Sequence, residues 1–243
     1  MRILALDSSG LVAGVALVED DTLIAEYTLN HKKTHSQTLL PMIDELFQMT
    51  GMDKKSIDAV AIAGGPGSFT GLRIGAATAK GLAQALELPV IKVPTVDALA
   101  YNLFGTEGII APLMDARRNQ VYTGLYTFEG FDFKVVRPQC AVGIEEIVSE
   151  INAMGKPVIF LGDGVPVNKE YIEANVTAAF DFAPAHLSRQ RAGAVGALAI
   201  RYADDKDYPA VRSYGAADFV PDYLRLSQAE REMLEKEKEK SGV

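Results

Sequence analysis

The first third of the chain contains three short apolar runs followed by one amphipathic stripe. Residues 3–6 and 12–18 are apolar, and residues 23–29 alternate loosely between apolar and polar side chains. Polar turns separate these runs, which is typical of antiparallel strands joined by short connections. The stripe that follows has a spacing of three and four, which predicts one face of a helix; its members are Leu39, Leu40, Ile43, Leu46 and Phe47.

The pattern predicts a second, shorter set of elements after residue 104. Three strands are expected within residues 109–136, and a helix, a strand and two more helices follow them. This order repeats only part of the first half, which reads strand-strand-strand-helix-strand-helix-strand-helix. The other predicted elements are strands at residues 58–63, 89–93 and 157–161 and helices at residues 72–87, 95–104, 144–154, 167–175 and 192–202.

This order of elements predicts an α/β protein of two related lobes, the second of which is abbreviated. We place the first lobe at residues 1–104 and the second at residues 105–225. Residues 226–243 carry a Ser-x-x-Glu capping box followed by alternating Glu and Lys, so they predict a charged helical tail that faces solvent.

Composition and charge describe an ordinary globular protein with an acidic balance. Of its 243 residues, 48% are hydrophobic and 23% are charged, which is enough for a sizeable core. The net charge of −8 argues against nonspecific nucleic-acid binding by this chain alone, although a basic partner could hold the nucleic acid. A single cysteine, Cys140, excludes an internal disulfide framework, and no apolar run is long enough for a membrane span or a signal sequence. We therefore expect a cytoplasmic protein.

The most distinctive segment is the glycine-rich loop of residues 64–71, which follows a predicted strand and opens a helix. Backbone N–H groups at such a helix start can face an anion, and Gly67 and Ser68 are the candidates. The loop lacks the Lys-Ser/Thr ending of a Walker A loop and does not fit Gly-x-Gly-x-x-Gly. The alternative is a tight packing turn. The following helix favours this alternative, because its many Gly and Ala residues would let another backbone approach closely.

Two further segments stand where phosphate-binding residues stand in two-lobed nucleotide-binding folds. Asp7 and Ser8 follow the first strand, and Asp115 follows the corresponding strand of the second lobe. Each segment is also an ordinary turn sequence, so both interpretations remain open. His31 and His35 have a metal-ligand spacing, but two lysines lie between them and no third ligand accompanies them, so we expect no metal site.

Five segments, taken in chain order, resemble the TsaB (YeaZ) family. They are Leu-Asp-Ser-Ser at residues 6–9, His-Ser-Gln-x-Leu-Leu-Pro at 35–41, Gly-Gly-Pro-Gly-Ser-Phe-Thr-Gly-Leu-Arg at 64–73, Asp-Ala-Arg-Arg at 115–118 and Pro-x-Tyr-Leu-Arg at 221–225. The resemblance covers most of the chain, and the long glycine motif is specific. It implies an actin/Hsp70-like (ribonuclease H-like) fold in two lobes. It also implies a role in forming N6-threonylcarbamoyladenosine in tRNA, next to the anticodon.

The resemblance further implies a subunit without catalytic residues. The catalytic relative TsaD carries a metal-binding His-x-x-x-His in its first lobe, and the comparable stretch here, residues 95–104, contains no His. We therefore expect a scaffold or activator that binds TsaD, is joined by the ATPase TsaE, requires no cofactor of its own and contacts tRNA only indirectly. ATP at a partner interface is compatible with this role. Gln120 departs from the family pattern, in which we expect Glu, and its role stays open.

The partner surface implied by the resemblance is made by the two long helices of the first lobe, near residues 36–49 and 72–86. A homodimer would use the same surface. On this basis a large residue in place of Gly75 or Ala79 should weaken the heterodimer and leave the monomer folded. The residues assigned to partner binding are Leu39, Met42, Ile43, Leu46, Arg73, Gly75, Ala76 and Ala79.

A different hypothesis is an ATP-binding enzyme of the same fold, either an ATPase or a phosphotransferase. Asp7, Gly67 and Asp115 would then line a cleft between the lobes, and nucleotide binding by the isolated chain would distinguish this hypothesis from a scaffold. A metallopeptidase, the third hypothesis, would require bound zinc. The candidate anion- or nucleotide-binding residues are Asp7, Ser8, Gly67, Ser68 and Asp115.

Overall fold

The strands of the computed structural model form two mixed β-sheets, one of six strands and one of five. The structure describes residues 1–31, 33–203 and 213–225. The predicted helical tail at residues 226–243 lies outside these ranges. None of the helices within them is long and apolar enough to cross a membrane.

The three N-terminal apolar runs form an antiparallel meander, as their polar turns predict. The strands are β1 (Arg2–Asp7), β2 (Ala13–Glu19) and β3 (Thr22–Leu29). One extra residue, Ile24, bulges from β3 where its register with β2 shifts. The meander gives the first sheet its antiparallel half.

Two parallel strands and two long helices extend this sheet at the predicted places. β4 (Ala59–Ala63) pairs with β1, and β5 (Val90–Val93) pairs with β4, both in parallel. α1 (His35–Thr50) and α2 (Phe69–Leu86) bury their apolar residues on one face of the sheet. α3 (Thr95–Tyr101) packs on the other face and is shorter than the predicted helix at residues 95–104, because turns replace its last residues.

The second sheet follows the predicted order and contains one additional strand. Its elements are β6 (Ile109–Asp115), β7 (Gln120–Glu129), β8 (Asp132–Gly143), α4 (Ile144–Met154), β9 (Val158–Leu161), α5 (Val165–Asn175) and β10 (Phe180–Phe182). Across the sheet the strands run in the order β10-β9-β6-β7-β8. The sequence pattern does not predict β10, because three residues are too few to show a periodicity.

The C-terminal part of the described chain returns to the first sheet. α6 (Ala192–Ala203) packs on β1 and β2, on the face opposite α1. β11 (Ser213–Tyr214) pairs antiparallel with β5, which gives the order β11-β5-β4-β1-β2-β3. Part of the predicted second lobe, residues 105–225, therefore packs with the first sheet, and the boundary between the lobes stays a prediction.

A shared apolar core joins the two sheets. It contains residues of β1, β4 and β5 from the first sheet, of β6, β7 and β8 from the second, and of α3 and α6 between them. Within it the buried hydroxyl group of Tyr126 donates a hydrogen bond of 2.7 Å to the buried carboxyl group of Asp97. The two lobes are thus held together by packing as well as by the chain connections.

Candidate functional site

The glycine-rich loop between β4 and α2 lies too close to its neighbours to accept side chains. A Cβ atom at Gly71 would overlap the carbonyl oxygen of Ser8, and one at Gly65 would overlap the carbonyl oxygen of Asp222. Gly65 also has a φ of 114°, which L-residues with a side chain rarely adopt. These glycines therefore serve the close approach of two other backbone segments to the loop.

The hydrogen-bonding groups of the loop are likewise used inside the monomer. The N–H of Gly65 donates to Oγ1 of Thr95 (3.0 Å), and its carbonyl oxygen accepts from the N–H of Thr95 (2.9 Å) and from Nε2 of Gln139 (3.2 Å). The N–H of Ser68 donates to the carbonyl oxygen of Ser9 (2.7 Å). Because the N–H groups of Gly65 and Ser68 already have acceptors, these two donors support the packing interpretation of the loop over a phosphate cradle.

Asp7 and Ser8 are buried behind this loop. Ser9 donates its N–H (2.9 Å) and its hydroxyl group (2.6 Å) to Oδ1 of Asp7, and the hydroxyl group of Ser8 donates to the carbonyl oxygen of Gly71 (2.9 Å). Burial raises the pKa of Asp7 to about 6, although the hydrogen bonds from Ser9 act in the opposite direction. The expectation that Asp7 lines a cleft is thus corrected: the end of β1 is covered by the loop that packs on it.

A cleft of about 540 Å³ separates the lobes on the other side of the loop. Three of the predicted anion-binding residues, Gly67, Ser68 and Asp115, lie in its wall. The same wall also contains arginine side chains and aromatic rings, which are those of Phe69, Arg117, Arg118, Tyr122, Tyr223 and Arg225. The structure therefore brings together part of the predicted site, in a cleft that combines a hydroxyl group, guanidinium groups and aromatic rings.

The wall from the second lobe is a turn with an uncommon backbone conformation. Arg117, Arg118 and Asn119 have φ values of 65°, 55° and 57°, which are rare for residues other than glycine. The N–H of Arg117 donates to Oδ1 of Asp115 (2.8 Å), and the guanidinium group of Arg225 donates to the carbonyl oxygen of Arg117 (3.3 Å). Such a conformation persists when its surroundings hold it, and Arg225 supplies one of the holding contacts.

Sequence reasoning did not place the segment after β11 at this cleft. The N–H of Asp222 donates to the carbonyl oxygen of Gly64 (2.7 Å), and its carboxylate pairs with Nζ of Lys92 (2.9 Å). The ring of Tyr223 lies 4.9 Å from the ring of Phe69. The similarity of residues 221–225 to a family motif was the one available signal, because contacts between residues about 130 positions apart in the chain leave no periodicity.

Most of the residues assigned to a partner surface lie in the protein core. Met42 is half-buried and Arg73 is exposed, so these two can contact a partner. The remaining six face the first sheet, and the assignment is wrong for them because the apolar face of each helix is its own core face. A large residue in place of Gly75 or Ala79 would disrupt the monomer. The six buried residues are Leu39, Ile43, Leu46, Gly75, Ala76 and Ala79.

The outward faces of α1 and α2 form an exposed surface, which we call the helix surface. It consists of Leu40, Arg73, Ala77, Gly81 and Ala85. Leu40 is 54% exposed, and a Cβ atom at Gly81 would meet no atom within 4 Å. Ala77, Gly81 and Ala85 follow each other at intervals of four, so they form a strip of small residues along α2.

His35 takes a structural position, and Cys140 is a half-buried free thiol. Nε2 of His35 lies 2.9 Å from the carbonyl oxygen of Gly10 and so connects α1 with the β1–β2 turn. Burial raises the pKa of the Cys140 thiol, which lowers its thiolate fraction. In the part of the chain that the structure describes, no three His, Cys, Asp or Glu side chains are grouped to hold a metal ion.

Fold and site together define a two-lobed, actin-like α/β protein with a cleft between its lobes. The family model described as TsaD, tRNA N6-adenosine threonylcarbamoyltransferase, matches residues 22–233. The chain is also 35% identical to the tRNA threonylcarbamoyladenosine biosynthesis protein TsaB of Bacillus subtilis, over 98% of this chain and 100% of that protein. The chain therefore belongs to the TsaB family of tRNA threonylcarbamoyladenosine biosynthesis proteins, within the group that the TsaD model describes. The predicted family is confirmed.

Other similar proteins agree with this assignment. TsaB of Escherichia coli is 40% identical over 52% of this chain and 55% of its own length. A solved structure, YeaZ from Pseudomonas aeruginosa, superimposes with a TM-score of 0.74 at 27% identity, covering 92% of this chain and 99% of that chain. The predicted two-lobed α/β fold is confirmed by this likeness and by the two sheets of the structure.

Proposed function

We propose that this chain is a noncatalytic subunit that binds TsaD and supports formation of N6-threonylcarbamoyladenosine in tRNA. It acts in the cytoplasm, where TsaE joins the complex, and contacts tRNA through its partners. Membership of the TsaB family supports the pathway. The observation that carries the proposed binding role is the helix surface, which combines an exposed strip of small residues on α2 with an exposed leucine on α1.

The helix surface has the features of a helix-docking site. Ala77, Gly81 and Ala85 leave the backbone of α2 uncovered, so a partner helix can approach it closely. Leu40 offers exposed apolar area for burial, and Arg73 offers a side chain of the type that often contributes strongly to binding. TsaD would therefore dock on α1 and α2 through these exposed residues.

The absence of a catalytic role is supported by how the monomer uses its phosphate-binding motifs. The donors of Gly65 and Ser68 are taken by Thr95 and Ser9. The carboxyl group of Asp7 is buried and accepts hydrogen bonds from its own turn. Groups that would face a phosphate in an actin-like enzyme thus stabilise the fold here.

Replacement of Gly81 by Gln tests the docking site. The position is exposed and open, so Gly81→Gln should fold at least as well as the original chain while its side chain blocks the approach of a helix. We expect calorimetric titration with purified TsaD to show at least tenfold weaker binding. Ala153→Gln, at an exposed alanine of α4, is the matched control and should bind normally. Equal affinities of the two variants would contradict the proposed surface.

A reconstituted modification assay tests the noncatalytic role. With TsaD, TsaE, tRNA and the threonylcarbamoyl donor present, omission of this chain should abolish modification, whereas Asp7→Asn should retain at least half of the activity. Asn keeps an oxygen acceptor for the hydrogen bonds from Ser9. Loss of activity in Asp7→Asn with unchanged TsaD affinity would instead identify Asp7 as a catalytic group.

The cleft favours a second candidate function, an ATP-binding role. Ser68, Arg117 and Arg118 line a space of about 540 Å³ together with aromatic rings, and guanidinium groups bind phosphate well. In this case ATP should bind the isolated chain with micromolar affinity, and Arg118→Ala should weaken that binding at least tenfold. No heat of binding at millimolar ATP would exclude a nucleotide role for the isolated chain.

A further inference from the structure

β3 is the outer strand of the first sheet, and no strand of the described residues pairs with its outer side. The N–H and C=O groups of alternate residues on such an edge can pair with another strand. Proteins commonly prevent this with an outward-facing charge, a proline or a bulge. β3 has a bulge at Ile24, but the five residues after it, 25–29, keep a regular register with β2. This regular part of the edge can therefore accept a short strand.

No outward-facing charge protects the regular part of β3. Glu26 is the one charged residue between Thr22 and Leu29. Its side chain is only 8% exposed, and its carboxylate accepts hydrogen bonds from Nε of Arg191 (3.1 Å) and from the N–H of Gly193 (2.9 Å). Because these bonds hold Glu26 against α6, its charge does not oppose the approach of a strand.

An apolar groove of about 380 Å³ lies beside the same edge, between β3 and α1. Ala25 and Tyr27 point to the α1 side of the sheet, where they pack on the core under that helix. Side chains of an added strand would alternate in the same way, so every second one would enter the groove. The groove-lining residues are Tyr27, Thr28, Leu29, Pro41, Met42 and Glu45. The edge thus offers an apolar groove as well as backbone groups for pairing.

The two ends of β3 carry opposite charges. Asp20 and Asp21 form the exposed turn before the strand, and His31 and Lys33 are exposed just after it. Asp20 pairs with the N-terminal amino group, so Asp21 is the acid left for a ligand. A strand that pairs antiparallel with β3 begins beside the end of β3 and finishes beside its start. Charge complementarity then requires an acidic residue at the beginning of the bound strand and a basic residue at its end.

We propose that this edge binds an extended segment of another protein, which pairs antiparallel with β3. The segment carries an acidic residue at its N-terminal side, which meets Lys33, and a basic residue at its C-terminal side, which meets Asp21. Its apolar side chains, at alternate positions, lie in the groove against Tyr27 and Met42. β3 has eight residues and is about 26 Å long, so a segment of about nine residues reaches both charged ends. Such binding is strand addition to an exposed sheet edge.

The proposed site is separate from the helix surface and goes beyond the binding of TsaD. Residues two apart on an α-helix point about 200° apart, so Leu40 and Met42 lie on different sides of α1. Met42 lines the groove beside β3, whereas Leu40 belongs to the helix surface. The segment and a protein on the helix surface can therefore bind at the same time.

Two synthetic peptides of identical composition test the site. The first, Glu-Thr-Val-Thr-Tyr-Thr-Val-Thr-Lys, has the proposed charge order, and the second exchanges its terminal Glu and Lys. Fluorescence anisotropy of the dye-labelled peptides with the full chain at low salt should show about tenfold tighter binding of the first, because both of its ion pairs become like-charge contacts in the second. The shifts of backbone NMR signals that the first peptide causes should be largest over residues 22–29.

Charge reversal on the chain should invert this preference. The double variant Asp21→Lys/Lys33→Glu should bind the second peptide about tenfold more tightly than the first, a result that misfolding cannot produce. Both positions are exposed, so circular dichroism should show normal folding. Lys156→Glu, at an exposed lysine between α4 and β9, is the control and should keep the preference of the original chain.

Each of the other outcomes would overturn the proposal. They are no binding at 500 μM chain, equal affinities of the two peptides for the original chain, and an unchanged preference in the double variant. NMR shifts centred on the helix surface or on the cleft would place the peptide there. Concentration-dependent broadening of the β3 signals without peptide would assign the edge to a second copy of the chain. TsaD is absent from the experiment, so its failure is distinguishable from failure of the proposed function.

Discussion

Asp7 ends β1 with its carboxyl group buried beneath the turn that it starts. The hydrogen bonds from Ser9 favour the ionised form, but the loss of hydration outweighs them and raises the pKa to about 6. A carboxylate placed to hold phosphate through Mg²⁺ has to be reachable from the cleft. At this position the carboxyl group is used within its own turn, where it accepts two hydrogen bonds from Ser9.

The raised pKa predicts how stability depends on pH. Between about pH 4 and pH 6 the folded chain keeps a proton on Asp7 that the unfolded chain has released, so the free energy of unfolding falls as the pH rises through this window. A shift of two units corresponds to about 3 kcal/mol. Asp7→Asn removes this titration and should be more stable than the original chain at pH 7.5, by up to about 3 kcal/mol, with no difference near pH 4.

Urea denaturation at a series of pH values measures this effect. Asp21→Asn, at an exposed aspartate, is the control and should follow the original chain at every pH. A constant offset between Asp7→Asn and the original chain from pH 4 to pH 7.5 would show that Asp7 is ionised throughout this range in the folded protein.

At the scale of elements, α2 has two faces made of similar small residues but placed in opposite surroundings. Gly75 faces the sheet, where a Cβ atom would overlap the hydroxyl group of Ser8 and lie 3.1 Å from Cδ1 of Ile62. Gly81, on the outer face, has open space. The same residue type thus permits close packing inside the monomer at one position and leaves the backbone uncovered at the other.

This contrast predicts opposite effects of one substitution. Gly75→Ala should lower the free energy of unfolding by about 1–3 kcal/mol, because the added methyl group has to displace its neighbours. Gly81→Ala should raise it by about 1 kcal/mol, because Ala favours the helix and meets no atom. Thermal unfolding of the two variants against the original chain measures the difference. A loss of stability in Gly81→Ala would show that the outer face is covered in solution.

The apolar pattern predicted elements better than it predicted surfaces. Its periodicity located the long helices and most strands because each buries one face continuously. The stripe of Leu39, Ile43 and Leu46 was assigned to a partner, yet it is the core face of α1. A single chain shows which side of a helix is apolar, but the sheet that covers this side comes from distant segments. The sequence did not predict the short strands β10 and β11, because they are recognised by the strands they pair with and are too short to show a pattern of their own.

At the scale of the whole molecule, the segment after β11 connects the two lobes. In the first lobe, Asp222 donates its N–H to Gly64 and pairs its carboxylate with Lys92. Three residues later, Arg225 donates hydrogen bonds to the carbonyl oxygens of Ala116 and Arg117 in the second lobe. The candidate cleft residues Ser68 and Asp115 were predictable from their motifs. The position of the segment after β11, which contacts both lobes, was not predictable, because nothing local in its sequence indicates where it docks.

Removal of the Arg225 side chain should loosen the turn that forms the second wall of the cleft. Arg225→Ala deletes hydrogen bonds from a charged donor, so amide hydrogen exchange over residues 116–120 should accelerate about tenfold. Arg201→Ala, which removes an exposed pair with Asp132, is the control and should leave this turn unchanged. Unaltered exchange in Arg225→Ala would show that the left-handed turn is stable without the segment.

The return of the chain to the first sheet has a consequence for its synthesis on the ribosome. β1 is synthesised first, but α6, the helix that covers one face of it, is complete only at Ala203. Phe219, which is buried in the core under α1 and α2, is synthesised later still. A nascent chain that has left the ribosome only as far as residue 104 lacks both α6 and the ring of Phe219, so the face of β1 that α6 covers would be exposed. We therefore expect the first sheet to reach its native packing only after translation has passed Phe219, late and through contacts of large sequence separation.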